Sequence, residues 1–308
     1  VVGWQHLGYG ESGDGRNLRS LMKYMEDTQM KDVQKKLQDI GINRLVIVDT
    51  TKKDVTHRGE GRDMIYTGDP ENDAYVLSEF LSDSITMPYY VEIPFYKYRT
   101  YCSSSGCSLE DMRGLEYWKS WVEMFMMSSD PNLKGFYWNL EPPMMFPSTN
   151  GLSWEETISE LATMIHVGGF EFIWIPYVHT TSWKEIKDLR VFNPTSHEAH
   201  YKHHAAYYFD WVFLQPGYYQ GYIAPVEIST LQTWKEYVDE AKSGRYNYKG
   251  IDNIYYEFEC DGAVLMKPLY WQRACDYVRV FGKPSQRAYY YDVNVESLEY
   301  LKGVCNYV

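Results

Sequence analysis

The stretch WEETISELATMIHVGGFEFIWIPY, residues 154–177, holds the reading that decides the fold. Ser153 and Glu156 form a capping-box pair, so a helix is predicted from Trp154 to Val167, released by Gly168 at its C-terminal end. Phe172-Ile173-Trp174-Ile175 follows as a near-continuous apolar run, the pattern of a parallel strand covered on both faces. One helix leading into one buried strand is half of a βαβ repeat, and the same rhythm extends in both directions along the chain.

Strands are predicted at Val2–Leu7, Arg44–Asp49, Tyr89–Pro94, Gly135–Leu140, Phe172–Tyr177, Trp211–Gln215, Ile254–Glu259 and Ala288–Asp292. Helices are predicted between them at Asn17–Ile40, Pro70–Asp83, Leu109–Ser128, Trp154–Val167, His197–Tyr208, Thr230–Lys242 and Pro268–Phe281, with a last one at Val295–Val304. Asp69-Pro70 supplies an N-cap acceptor with proline at N1, and Ser229 with Gln232 repeats the capping-box spacing. Gly41 and Gly244 stand, like Gly168, where a helix would end. Eight strands alternating with eight helices over 308 residues predict a single α/β domain, residues 1–308, built as a (β/α)8 TIM-type barrel. The alternative is an open doubly wound sheet. The longest connections, Thr50–Asp69 and Lys97–Ser108, follow strands two and three, on the face where such barrels keep their sites.

Composition narrows the function classes. Forty-two acidic against thirty basic residues give a formal charge of −12, which works against a phosphate-neutralising surface and so against nucleic acid as a partner. That charge also favours neutral or cationic glycans over uronic acids. No apolar run reaches the ~18–20 residues of a membrane span, and Val1-Val2-Gly3-Trp4 lacks signal-peptide features. Aromatics make up 17% of the chain, with thirty Tyr and ten Trp, more than core filling requires; a sugar-binding cleft is one use for them.

Five cysteines make no disulfide framework in a chain of this length. Cys102 and Cys107 flank a flexible loop that an oxidising compartment could close, while Cys260, Cys275 and Cys305 read as buried thiols. These give a weak lean to an extracellular or cell-surface setting, with the cytoplasm as the alternative.

No cofactor is implied. Gly8-Tyr9-Gly10-Glu11-Ser12-Gly13-Asp14-Gly15 lacks both the dinucleotide and the P-loop spacing. His200 and His204 stand four apart without a His-Glu-x-x-His pattern, and the first strand carries Gln5-His6 rather than His-x-His, so no metal is expected.

In a barrel, polar residues at strand C-termini call for a functional explanation. Those ends carry Asp49, Glu92, Glu141, Tyr177 with His179, Gln215, Glu257 with Glu259, and Asp292. Carboxylates converging on one mouth push each other's pKa values apart, so that one stays ionised while another keeps its proton, as glycoside hydrolysis requires. Glu141 closes Gly135-Phe136-Tyr137-Trp138-Asn139-Leu140-Glu141-Pro142-Pro143, where two prolines end the strand. The pleat puts Asn139 on the face of Glu141 one layer below, and Glu257 with Glu259 on one face of the seventh strand. Glu141 is therefore the candidate acid/base and Glu257 the candidate nucleophile or base. Trp4, Asp49, Glu92, Asn139, Tyr177, Gln215, Tyr218 and Glu259 are candidate substrate-binding groups. Tyr219 is a further aromatic platform, as are Trp138 and Trp174 unless these two point into the helix layer.

Phrases in this chain resemble the family catalogued as domain of unknown function 4855, prokaryotic barrels grouped with glycoside hydrolases. They are Gly135-Phe136-Tyr137-Trp138 with Glu141, Ile173-Trp174-Ile175-Pro176-Tyr177, the run from Phe209-Asp210-Trp211 to Gln215-Pro216-Gly217-Tyr218, and the acidic strand Tyr256-Glu257-Phe258-Glu259. The resemblance implies a (β/α)8 barrel acting on sugars. Barrel glycosidases with the acid/base after strand four and the nucleophile after strand seven are similar at Glu141 and Glu257, although Leu140 separates Asn139 from Glu141 where those enzymes place Asn directly before the acid. The expected activity is hydrolysis of a poly- or oligosaccharide. The alternatives are a non-catalytic carbohydrate-binding or surface-assembly barrel and, third, a metal-dependent hydrolase.

Overall fold

The computed structural model describes residues 2–7, 28–49, 69–94, 113–139, 154–176, 205–219, 227–243, 252–284, 286–290 and 295–308. Eight parallel strands follow one another in chain order: β1 (Val2–Leu7), β2 (Arg44–Asp49), β3 (Tyr89–Ile93), β4 (Leu133–Trp138), β5 (Glu171–Trp174), β6 (Trp211–Leu214), β7 (Ile254–Glu259) and β8 (Ala288–Tyr290). β8 pairs back onto β1, which closes the barrel and excludes the open sheet. Around it run α1 (Thr28–Ile40), α2 (Pro70–Ser84), α3 (Leu115–Met127), α4 (Trp154–Val167), α5 (Ile228–Lys242), α6 (Pro268–Phe281) and α7 (Val295–Cys305). Of the helix predicted at His197–Tyr208, the described part is a single 3-10 turn, Ala205–Tyr208.

Period-two alternation sorts the strand residues into two cores. Val46, Tyr90, Tyr137, Ile173, Phe213 and Ala288 fill the barrel interior with Ile175, which follows β5. Their neighbours Leu45, Val91, Phe136, Trp138, Phe172, Trp174, Val212 and Phe258 face the helices. The helix layer answers with its own stripe: Leu115, Trp118, Val122 and Phe125 of α3 recur at the spacing of one helix face and are buried. Trp118 meets Trp138 edge-on at 5.1 Å between centroids. Trp138 and Trp174 thus belong to the helix-facing core and are not sugar platforms.

Local start and stop signals act mostly where the residue chemistry puts them. Asp69 caps α2 by accepting from the backbone N–H of Glu71 and Asn72, with Pro70 at the first helical position. Gly41 follows α1 with φ +105°. After α4 the left-handed residue is Gly169, φ +81°, rather than Gly168; its neighbour Phe170 donates back to the Ile165 carbonyl at 3.1 Å. Ser229 sits inside α5, which begins one residue earlier at Ile228, so it is not the N-cap.

Two features tie distant parts of the chain together. At the end of the barrel where the strands begin, Arg44 of β2 pairs with Glu171 of β5 at 2.7 Å, and the Tyr90 hydroxyl of β3 bonds to both. This brace crosses the interior from one side of the sheet to the other. The second feature corrects the reading of the cysteines: Cys275 of α6 and Cys305 of α7 form a disulfide, while Cys260 is a free, buried thiol. Their positions, 30 residues apart in sequence, gave no spacing signal because the helices that juxtapose them meet only in the folded barrel. Closing a loop of this length in the unfolded chain stabilises the fold by about 3–4 kcal/mol. Cys275→Ser is expected to lower the free energy of unfolding by that amount in chemical denaturation. Dithiothreitol should reproduce the loss in the native protein and add nothing to the variant.

Candidate functional site

The C-terminal ends of the strands are acidic, and packing from outside fixes where each carboxylate stands. Glu92 shares the inner face of β3 with Tyr90 and is 4% exposed. Its Oε1 accepts a hydrogen bond from Nδ2 of Asn139, the residue directly after β4. Two indoles of α3 hold the backbone there: Trp121 Nε1 donates to the Glu92 carbonyl at 3.0 Å, and Trp118 Nε1 to the Pro94 carbonyl at 3.0 Å. Being three residues apart, the two rings lie on one helix face. Each gives a buried indole N–H its obligatory partner and satisfies a carbonyl where β3 ends.

On β7, Ile254, Tyr256 and Phe258 join the helix-facing core, leaving Tyr255 and Glu257 for the interior. Glu257 stands in register with Ala288, an interior residue of β8, and is 0% exposed. Burying a carboxylate in such a place is costly unless it is paired and hydrogen-bonded.

Glu259, two residues on and 3% exposed, is gripped differently. Its Oε2 accepts from the Tyr277 hydroxyl of α6 and from the Tyr219 N–H at 3.3 Å. Burial pushes its pKa up to about 7, with the Asp261 charge adding to the rise and the two hydrogen bonds opposing it. Asp261 itself accepts from the Tyr219 hydroxyl at 2.6 Å and the Ala263 N–H at 2.8 Å. From the far side, the Tyr307 hydroxyl donates to the Glu259 backbone carbonyl at 2.9 Å.

The structure therefore brings Glu92 together with Asn139, and Glu257 together with Glu259 on one strand. Gln215 follows β6, half-buried, with its N–H on the Pro176 carbonyl at 3.0 Å. Tyr218 is a correction: it is 5% exposed, its hydroxyl donates to Asp276 of α6 at 2.7 Å, and its ring meets Tyr277. It anchors the segment after β6 to the helix layer and presents no face to a sugar. Tyr219, fully buried, is likewise committed to Asp261.

Trp4 and Asp49 occupy β1 and β2, but their side chains lie outside the described residues, as do Glu141, Tyr177, Cys102, Cys107 and the His197–His204 run. Among the described residues no group of three or more His, Cys, Asp or Glu is placed to hold a metal. The partners that sequence reading missed are Trp118, Trp121 and Tyr277. The tryptophans carry a signal, three-residue spacing early in a helix after an acidic strand; Tyr277 carries none, being one of thirty tyrosines.

No protein-family model matches the chain. An uncharacterized protein of Methanocaldococcus jannaschii is 28% identical, the match covering 76% of each chain. Similar solved structures include a GH18 chitinase from Pseudoalteromonas aurantia, with a TM-score of 0.44, 9% identity, and 89% of this chain and 94% of that one covered. A putative sugar phosphate isomerase/epimerase from Anabaena variabilis has a TM-score of 0.44 and 12% identity over 97% and 88% of the two chains. An HpcH/HpaI aldolase from Desulfitobacterium hafniense has 0.37 and 11% over 99% and 91%. These neighbours carry three different chemistries, so they bear on no activity, and the barrel assignment rests on the strand pairing itself.

Proposed function

We propose that the chain is a glycoside hydrolase acting on a poly- or oligosaccharide through two carboxylates, in keeping with the resemblance to the glycoside-hydrolase-like barrels of domain of unknown function 4855. The observation that carries this reading is Glu257, wholly buried on the inner face of β7 at the acidic end of a closed barrel. In strand order, β7 lies four places from β3, whose Glu92 is tied to Asn139. Acidic and hydrogen-bonding groups thus approach the mouth from opposite walls.

Glu141, two residues after Asn139, is assigned the general acid that protonates the leaving oxygen. Glu257 attacks the anomeric carbon or activates water against it. A carboxyl separation of about 5–5.5 Å gives retention of configuration, and about 6.5–9.5 Å inversion. Glu92 and Asn139, with Gln215, Asp49, Trp4 and Tyr177, are the hydroxyl- and ring-binding groups of this reading. The Cys275–Cys305 bond supports an extracellular or cell-surface setting for the enzyme.

The test is hydrolysis of paired substrates, aryl glycosides with good leaving groups and natural oligosaccharides with poor ones. Glu141→Gln is expected to cut turnover of the oligosaccharide by about 10²–10⁴-fold and to spare the aryl glycosides, whose leaving groups need no proton. Equal activity of the variant and the native protein on both substrates overturns the assignment. Sugar binding without cleavage by the native protein replaces it with a binding barrel.

A further inference from the structure

The five residues after β6, 215–219, are fixed at both ends. At the first, the Gln215 N–H donates to the Pro176 carbonyl at 3.0 Å. At the last, every polar group of Tyr219 meets β7, α6 or the residues that join them. Its N–H is shared between Glu259 Oε2 and the Tyr277 hydroxyl, each at 3.3 Å. Its carbonyl accepts from Arg273 at 3.1 Å. Its hydroxyl donates to Asp261 at 2.6 Å and accepts from the Asp261 N–H at 3.3 Å. Between the two ends, the Tyr218 hydroxyl is held by Asp276.

These bonds converge on Glu259. Its Oε2 takes the Tyr219 N–H and the Tyr277 hydroxyl, and that hydroxyl accepts from the same N–H, so one closed ring of hydrogen bonds joins a turn, a strand and a helix. The backbone around it is held as well: the Glu259 carbonyl accepts from Tyr307 at 2.9 Å, and the Cys260 N–H donates to the Tyr290 carbonyl at 2.7 Å. With Glu259 only 3% exposed, nearly all of its surface is spent on these neighbours.

Gln215 is placed differently. Alternation puts it with Trp211 and Phe213 on the inner face of β6. It stands one residue beyond the pair Leu214–Tyr256, level with Glu257 on the next strand. It is half-buried, and among the described residues no hydrogen bond uses its side-chain amide. An amide with a fixed backbone and no protein partner can both donate to and accept from a ligand hydroxyl.

We propose that Glu259 is a positioning residue that acts through Gln215: by holding Tyr219 against β7 it fixes the turn after β6, and with it the Gln215 amide beside Glu257. It touches no substrate itself. Without this anchor the turn pivots about the Pro176 link, and the order that Gln215 now carries in advance has to be supplied when a sugar binds. The consequence for sugar recognition rests on the glycosidase reading, whereas the anchoring of residues 215–219 does not.

The experiment pairs steady-state kinetics with hydrogen exchange in Glu259→Ala, Glu259→Gln, Gln215→Ala and the double variant Glu259→Ala/Gln215→Ala. Glu259→Ala is expected to raise KM for a hydrolysed oligosaccharide about 3–10-fold, the worth of one hydrogen bond, with kcat largely kept. Glu259→Gln keeps an acceptor for Tyr219 and Tyr277 and is expected to restore most of the native KM. The double variant is expected to have the KM of Gln215→Ala alone, because the anchor has nothing left to position. The backbone amides of residues 217–219 are expected to exchange faster in Glu259→Ala and at the native rate in Glu259→Gln. A role confined to stability would lower the unfolding midpoint and leave the KM of the folded enzyme unchanged. Where Glu259→Ala yields no folded protein, Tyr277→Phe takes its place, since it removes the hydroxyl from the same ring of bonds and keeps the aromatic packing against Tyr218.

An unchanged KM in folded Glu259→Ala, an equal loss in Glu259→Gln, or single effects that multiply in the double variant overturns the proposal. So does unchanged exchange at residues 217–219. Failure of the native protein to hydrolyse any glycoside overturns the glycosidase reading alone; affinity for the oligosaccharide then replaces KM, and the exchange rates test the anchor by themselves.

Discussion

Glu257→Gln is expected to leave the barrel folded and to cut turnover of a hydrolysed glycoside by about 10²–10⁴-fold, the contribution of a positioned base or nucleophile. Glutamine matches the volume and shape of the native side chain, so the interior next to Ala288 and Tyr255 keeps its packing. What it removes is the carboxyl group that the proposed mechanism uses at the wall of the mouth. A purely structural carboxylate would show the opposite pattern, a changed unfolding temperature with turnover preserved. Unfolding curves run beside initial rates separate the two, and full activity in a folded variant ends the assignment of Glu257.

Gly135→Ala is expected to cost about 3 kcal/mol or more, the upper end of overpacking penalties and a large share of the about 5–15 kcal/mol that holds an ordinary fold together. A Cβ at this position would lie 1.8 Å from the Glu171 carbonyl oxygen and under 3 Å from two more atoms of that residue's backbone. These are main-chain atoms of the adjacent strand, paired with Gly135 in the β4–β5 ladder, and they cannot rotate away. On the other side β4 shifts register against β3 between Tyr89 and Tyr90. Gly303→Ala is the control: nothing lies within 4 Å of its Cβ position, and it is inside α7, where alanine is the better helix former by up to about 1 kcal/mol. Circular dichroism and chemical denaturation of the two variants should diverge in opposite directions.

The strands were legible because each is a short apolar run bounded by breakers. Ile254–Glu259 and Arg44–Asp49 have the ends that the residues suggest, as do the helices Trp154–Val167 and Pro268–Phe281. β5 ends sooner than its apolar run does, since Pro176 removes a ladder donor and the pairing has already stopped at Trp174. The pleat put Glu257 on one face of its strand with Glu259 because alternation is a local property, and the structure makes that face at Glu257 the interior wall.

What stayed hidden depends on contacts between elements far apart in sequence. Nothing near Tyr218 indicates that its hydroxyl would be claimed by Asp276, 58 residues away. Nothing near Cys305 names Cys275 over the other cysteines. Glu259 looked equivalent to Glu257 by every local rule, and only the arrival of α6 and the segment after β6 makes it a buried, hydrogen-bonded acid.

The brace of Arg44, Tyr90 and Glu171 gives the two ends of the barrel separate evolutionary freedom. It ties three strands together at the end away from the carboxylates, and its members lie upstream of every candidate site residue on their strands. None of its three members belongs to the segments that follow β3 and β4, residues 95–112 and 140–153. Variation there, Glu141 excepted, is expected to leave the closed sheet in place. A library randomised there should retain a larger share of folded members than one randomised at Arg44, Tyr90 and Glu171.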